Sequence, residues 1–240
     1  MAGSAQTDFL PTRWTLVVAA AAHPTAPDTR ARQALAELAQ AYWYPLYAYV
    51  RRQGHSPADS EDLTQEFFAE FIEKRFLTSV DPAKGRFRAF LLACLNHFLS
   101  HQREKARAQK RGGGRLLSLD AAEARYARES VAADTLSPER LFERRWALAV
   151  LERVLARLEA DYRQGGQAEL FAVLKPTLTE VAVPHYAPMA EQLGMTVAAV
   201  KVAGHRLRRR YRDHLREEIA QTVATPEEVA DEIAYLLNCL

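Results

Sequence analysis

The sequence has few residues that break helices or cross-link chains. Its 240 residues include 10 glycines, 11 prolines and 2 cysteines. Cys94 and Cys239 lie far apart, without the spacing of a zinc site or of a disulfide framework. The pattern excludes a disulfide-rich secreted protein and is typical of a reducing compartment, so we expect a cytoplasmic protein.

Long hydrophobic runs are also scarce. The one apolar run near the N-terminus, residues 14–22, is too short to span a bilayer. It follows Asp8 and Arg13, where a secretory leader would have a basic segment. We therefore expect neither secretion nor insertion into a membrane.

An excess of charge of one sign is missing too, because 32 basic and 30 acidic residues leave a formal net charge of +2. Such a balance argues against a uniformly basic nucleic-acid-binding protein. The charges are segregated, however: acids cluster in residues 57–75, and bases cluster in residues 103–115 and 201–216. One acidic and two basic segments indicate two kinds of partner, or else a set of solvated helix faces.

Helical apolar periodicity covers most of the chain, and strand-like alternation is hard to find. The sequence therefore predicts an all-α protein with two small helical domains joined by a linker. We expect the first domain at residues 1–114, the linker at 115–138 after a run of three glycines, and the second domain at 139–221.

Residues 222–240 are predicted to contain a short amphipathic helix. Thr225, Pro226 and two glutamates give the N-cap, first-turn proline and first-turn acids of a helix start. The expected buried side of this helix consists of Val229, Ile233, Leu236 and Leu237.

The strongest local pattern, residues 186–211, is typical of a helix-turn-helix. Ala190 allows two helices to cross closely, Gly194 permits the turn between them, and Thr196 can cap the second helix. The second helix would have an apolar side that docks, with members Val197, Val200, Ala203, Leu207, Tyr211 and Leu215. Its other side carries Lys201, Val202, His205, Arg206 and Arg209, which suit a DNA major groove.

Residues 87–107 predict a helix with two different faces. The apolar stripe consists of Phe87, Phe90, Leu91, Cys94 and Phe98. The opposite side carries Asn96, Ser100, Arg103 and Arg107, and Lys110 and Arg111 extend its charge. An amide and several cations beside aromatic-rich turns suit single-stranded or distorted DNA.

Residues 59–73 predict a helix with an acidic stripe. Its members, spaced three or four residues apart, are Asp59, Asp62, Glu66, Glu70 and Glu73. Glu66 and Glu70 could begin a metal or acid–base site, but the sequence has no Glu-x-x-His motif, phosphate-binding loop or nucleophile motif to complete one. A face that docks on a protein is the favoured interpretation.

Together these segments resemble the extracytoplasmic-function group of bacterial sigma factors over nearly the whole chain. The resemblance is carried by residues 59–68 (DSEDLTQEFF), 81–92 (DPAKGRFRAFLL) and 194–211. It implies a non-catalytic transcription initiation factor, without metal, cofactor or small-molecule substrate. The first domain would be similar to sigma region 2, and the second domain to sigma region 4.

The resemblance also implies partners and site residues. RNA polymerase core would bind through the clamp and flap of its large subunit, with Asp62, Gln65, Glu66 and Phe67 on the clamp. Promoter DNA would be opened at the −10 element by Asn96, His97, Arg103, Arg107, Lys110 and Arg111. The −35 element would be contacted by Thr196, Lys201, Val202, His205, Arg206 and Arg209. An anti-sigma factor is a further candidate partner.

Some alternatives stay open at this point. Members of the group usually have a Trp seven residues before the base-reading Asn, whereas Phe90 precedes Asn96 by six, so either Asn96 or His97 takes that role. A stand-alone helix-turn-helix regulator would bind DNA without polymerase. A carboxylate-dependent helical enzyme centred on Glu66 and Glu70 is the alternative from another class.

Overall fold

The structure, a computed structural model, describes residues 29–73, 86–108, 126, 136–179, 185–223 and 225–240. These ranges contain α-helices and one 3-10 helix, with no strand among them. The predicted all-α class is confirmed. The segment around Trp14 and most of the predicted linker at 115–138 lie outside the described residues.

The helices follow one another with short connections in each half of the chain. In order they are α1 (Thr29–Arg52), α2 (Pro57–Glu73), α3 (Phe87–Ala108), α4 (Pro138–Gln164), α5 (Ala168–Leu174), the 3-10 helix (Lys175–Leu178), α6 (Tyr186–Gln192), α7 (Val197–Ala220) and α8 (Glu228–Asn238).

The chain divides into two compact units. The first unit comprises residues 1–149 and 220–240, and the second unit comprises residues 150–219. Residues 139–149, expected in the second domain, thus pack with the first unit, and so does the C-terminal segment, residues 222–240. The second unit is an insertion in the sequence of the first.

Aromatic side chains form the core of the first unit. Tyr42 from α1 meets the ring of Phe87 from α3 edge-on, with 5.2 Å between ring centroids. The buried Trp146 from α4 donates its indole N–H to the hydroxyl of Tyr42 at 3.1 Å. This hydrogen bond satisfies the polar tips of two large buried rings and joins residues about a hundred positions apart in the chain.

The second unit has its own apolar core. Its buried members come from all four α-helices of that unit: Leu158, Tyr162, Phe171, Leu174, Ala190, Val200 and Leu207. Two polar contacts lie beside this core, where Arg153 pairs with Glu218 at 2.9 Å and His214 Nε2 lies 2.8 Å from Asp161. Both contacts join α4 to α7.

The turn between α6 and α7 has the geometry that the sequence predicts for a helix-turn-helix. Gly194 adopts φ 62°, and the N–H of Met195 donates to the carbonyl of Ala190 at 2.9 Å. The hydroxyl of Thr196 accepts from the N–H of Ala199 at 3.2 Å, which caps α7. The predicted helix-turn-helix is confirmed.

The predicted docking side of α7 is correct except at its first residue. Val200 and Leu207 are both 0% exposed, and Leu215 is 7% exposed. Val197 is 40% exposed, because it begins the helix ahead of the turn that meets α6.

The predicted C-terminal helix is present as α8, but its buried side is partly wrong. Leu236 is 0% exposed as expected, whereas Leu237 is 56% exposed. The second buried residue of α8 is Glu232, which lies four positions before Leu236 and therefore on the same side of the helix. The sequence analysis did not anticipate a buried carboxylate here.

Gly194 provides a test of the turn. A Cβ at this position would meet nothing within 4 Å, so the cost of Gly194→Ala comes from backbone strain at positive φ and not from a clash. We expect this variant to lower the free energy of unfolding by about 1 kcal/mol. Asn tolerates positive φ better than Ala, so Gly194→Asn should lose less. Urea denaturation of both variants measures the difference, and equal losses would contradict the explanation.

Candidate functional site

The acidic surface of α2 has the predicted arrangement. Ser56 precedes the helix and accepts from the N–H of Asp59 at 3.1 Å, which caps the first turn. Asp59, Asp62 and Glu66 are exposed and Glu70 is partly exposed, while the burial of Glu73 is not described. Carboxylates at these spacings repel one another, so solvent or a basic partner is needed to offset the repulsion.

A groove of about 310 Å³ runs between α2 and α3 in the first unit. It is lined by His55, Asp59, Asp62, Leu63, Glu66, Leu99, Gln102 and Arg103. The amide of Gln102 donates to Glu66 at 2.7 Å, and the guanidinium of Arg103 donates to Gln53. Burial, together with the charge of Arg103, lowers the pKa of His55 below its usual value. The acidic surface of α2 and the cationic end of α3 thus meet in one groove.

The prediction that Phe67 contacts a partner needs correction. Its side chain is 1% exposed and packs against Phe98 from α3, with 5.8 Å between ring centroids. It lies on a different side of α2 from Asp62 and Glu66, because at roughly 100° per residue it points about 140° and 100° away from them. Asp62, Gln65 and Glu66 are exposed and available to a partner.

The polar face of α3 also has the predicted exposure. Asn96, His97 and Arg103 are exposed, while Leu91, Leu95 and Phe98 are buried. The hydroxyl of Tyr49 donates to the side-chain oxygen of Asn96 at 2.8 Å. Burial raises the pKa of Tyr49, so this hydroxyl keeps its proton at neutral pH. The hydrogen bond from Tyr49 holds the oxygen of the exposed Asn96 amide, which leaves its nitrogen as the donor for a partner.

Other residues of the predicted −10 face cannot be placed. Arg107 lies in α3, but its side chain is not described, and Lys110 and Arg111 lie outside the described residues. His97 packs its ring against His101, with 4.7 Å between centroids. Both Asn96 and His97 remain candidates for a base-reading residue. Sequence reasoning missed Tyr49, whose only signal was its place in a tyrosine-rich stretch of α1.

The outer face of α7 carries the predicted cations. Lys201, Val202, His205, Arg206 and Arg209 are all exposed. Thr196 is exposed at the start of this face and caps the helix. Arg209 lies 4.0 Å from Asp213, one turn further along the helix. The face as a whole offers cations and one apolar side chain to solvent.

The first unit contains a charged cluster that sequence reasoning missed. Glu232 of α8 is 1% exposed and forms ion pairs with Arg86 and Arg88, at the start of α3. Tyr235 lies over the guanidinium of Arg88, 4.1 Å from ring centroid to carbon, and donates its hydroxyl to Glu143. Burial raises the pKa of Tyr235 to about 12. The signal in the sequence was Glu232 itself, which falls on the apolar side of a predicted amphipathic helix.

The described residues include no group of three or more His, Cys, Asp or Glu residues placed to hold a metal ion. None of their helices is both long enough and apolar enough to cross a bilayer.

The burial of Phe67 can be tested by stability. Phe67→Ala should lower the free energy of unfolding by about 3–5 kcal/mol, because it removes a ring from a well-packed core. Phe67→Leu keeps most of the apolar volume and should cost far less. Thermal denaturation followed by circular dichroism checks both variants. A Phe67→Ala protein as stable as the wild type would mean that the side chain is on the surface.

Comparison with known proteins gives one finding. Residues 38–109, which contain most of α1, the whole of α2 and the whole of α3, match the family model of Sigma-70 region 2. No curated protein and no solved structure matches the chain. The matched segment contains the acidic surface of α2 and the polar face of α3. The match shows a region 2 segment in the first unit and supports a sigma factor, with a role in RNA polymerase binding and transcription initiation.

Proposed function

We propose that this chain is a sigma factor of the extracytoplasmic-function type. It binds RNA polymerase core and directs it to promoters, where it takes part in strand opening. The observation that carries the proposal is the match of residues 38–109 to Sigma-70 region 2, over the helices that expose Asp62, Glu66 and Asn96.

The acidic surface of α2 is the proposed contact with the polymerase clamp. Asp62, Gln65 and Glu66 are exposed on a helix whose other side is fixed in an aromatic core, so their positions are set before binding. Exposed carboxylates on a rigid helix can guide and orient a basic partner. Gln102 on α3 bonds to Glu66, so this surface is continuous with the DNA-facing helix.

The polar face of α3 is the proposed surface for the −10 element. Asn96 can offer hydrogen bonds to an unpaired base, and Arg103 can hold the backbone of the opened strand. Both are exposed, and they lie seven residues, or about two turns, apart on α3.

The outer face of α7 is the proposed surface for the −35 element. A helix-turn-helix places its second helix in the major groove, with the first residues of that helix nearest the bases. Lys201, His205 and Arg206 are exposed on the first turns of α7 and can contact phosphates and base edges.

The flap of the large subunit and an anti-sigma factor are further proposed partners of the chain.

The helix-turn-helix of the second unit favours one alternative, a regulator that binds DNA without polymerase. Such a protein has no need of a region 2 segment with an exposed acidic surface. Copurification with core polymerase, followed by run-off transcription, separates the two functions.

Charge reversal on α2 tests the polymerase contact. Asp62→Lys with Glu66→Lys should weaken binding to core polymerase, because two attractive carboxylates become repulsive cations, while the melting temperature changes little. Glu169→Lys with Glu227→Lys is the matched control, since both residues are exposed and the charge change is the same. Retention on immobilised core polymerase measures binding. Normal binding by the α2 variant, or equal loss in both variants, would refute the assignment.

A pre-opened template tests the two DNA faces separately. Asn96→Ala and Arg103→Ala should impair transcription from duplex promoters and recover on a template with a mismatched bubble over the −10 element, because the bubble supplies the opened strand. His205→Ala and Arg206→Ala should not recover, since each lost duplex contact costs about 1–3 kcal/mol in either template. Run-off transcription on both templates gives the comparison. Recovery of all four variants, or of none, would show that the faces are assigned wrongly.

A further inference from the structure

The charged cluster around Glu232 has the composition of an anion-binding site. One oxygen of the Glu232 carboxylate pairs with Arg86 and the other pairs with Arg88. Proteins bind phosphate groups, as well as carboxylates, with two guanidinium groups that contact the same anion. Both arginines stand at the N-terminus of α3, where the helix dipole adds to the attraction for an anion.

This site opens into the same groove as Asn96. The groove, of about 590 Å³, is lined by Arg86, Arg88, Ala89, Leu92, Ala93, Asn96, Glu139, Phe142, Glu143 and Tyr235. Its floor is the face of α3 on which Ala89, Ala93 and Asn96 follow one another at helical spacing. Arg88 and Asn96 are separated by about 12 Å along the helix axis, at 1.5 Å per residue. A nucleic-acid strand that lies along this face meets the proposed base-reading residue and the two arginines in turn.

In the described structure the groove is closed to a polyanion. Glu139 and Glu143 of α4 line it, and the carboxylate of Glu232 of α8 pairs with both arginines. Tyr235 covers the guanidinium of Arg88 and is fixed by its hydrogen bond to Glu143. Arg88 is 7% exposed, so a phosphate can reach its guanidinium only if α8 moves away.

The attachment of α8 is limited in extent. The helix runs from Glu228 to Asn238, and its buried residues are Glu232 and Leu236. A helix of this length is marginal in water on its own, so it depends on these contacts. An anion that competes for Arg86 and Arg88 removes the main polar contact of α8.

We propose that Arg86 and Arg88 form a binding site for a backbone phosphate of the opened DNA strand, and that α8 fills this site with Glu232 until DNA displaces it. The inference rests on the proposed function, because the ligand is the strand that the Asn96 face binds. The site formed by Arg86 and Arg88 extends the proposed −10 surface of α3, and α8 competes with DNA for this site.

Binding of a labelled single-stranded oligonucleotide to the full chain tests the proposal. Glu232→Gln keeps the shape of the side chain but removes the competing charge, so the affinity should rise roughly 5-fold or more, the lower end of typical coupling between sites. Asp231→Asn is the matched control, because Asp231 is exposed on the same helix and should leave the affinity unchanged. Adding Arg86→Gln to Glu232→Gln should abolish the gain, since it removes one of the two phosphate ligands.

If Glu232→Gln fails to fold, hydrogen exchange measured on the wild-type protein still tests the proposal. Saturation with the oligonucleotide should increase exchange at the amides of residues 228–238, because α8 leaves its site. Unchanged or slower exchange there would overturn the proposal. So would equal oligonucleotide affinities of the wild type and a folded Glu232→Gln protein, or a gain that persists without Arg86.

The proposed function can fail independently of this inference. If Arg103→Ala weakens oligonucleotide binding while Glu232→Gln changes nothing, the role of α8 is refuted and the DNA-binding face of α3 stands. If no variant binds the oligonucleotide, the inference is refuted, and retention on core polymerase then decides the proposed function by itself.

Discussion

The side chain of Arg88 is only 7% exposed in the first unit. Its guanidinium group packs between the rings of Trp146 and Tyr235. Burial lowers the pKa of its guanidinium, and a buried cation needs a negative charge nearby to offset the cost of its desolvation. Glu232 supplies that charge. Through these contacts α3, α4 and α8 meet at one point, and removing either charge of such a buried pair typically costs about 3–5 kcal/mol. The position of α8 follows from this requirement.

Much of the architecture could be predicted from the sequence, because it depends on local rules. The turn at Gly194 needs positive φ, and Thr196 caps the helix that follows, so these two residues define the turn of the helix-turn-helix. The exposure of Asp62 and Asn96 follows from helical periodicity alone. These features involve residues close together in the chain, where spacing determines geometry.

The rest depends on contacts between distant residues, which periodicity does not reveal. The hydrogen bond from Trp146 to Tyr42 brings the start of α4 to the first unit, although the sequence analysis assigned residues 139–149 to the second domain. Phe67 was assigned to a surface by resemblance, but it is buried against Phe98 of α3. Leu237 was expected to be buried, but Glu232 and Leu236 take that side of α8. The partners of Trp146, Phe67 and Glu232 are all far away in the sequence.

The discontinuous first unit has a consequence for the order in which the protein can fold during synthesis. The segments that form it enclose residues 150–219, so the inserted unit is made before α8 exists. At roughly 5–20 residues per second, the interval between the synthesis of Arg88 and that of Glu232 is on the order of ten seconds. During that interval a nascent chain carries both arginines without the carboxylate that pairs with them in the folded protein.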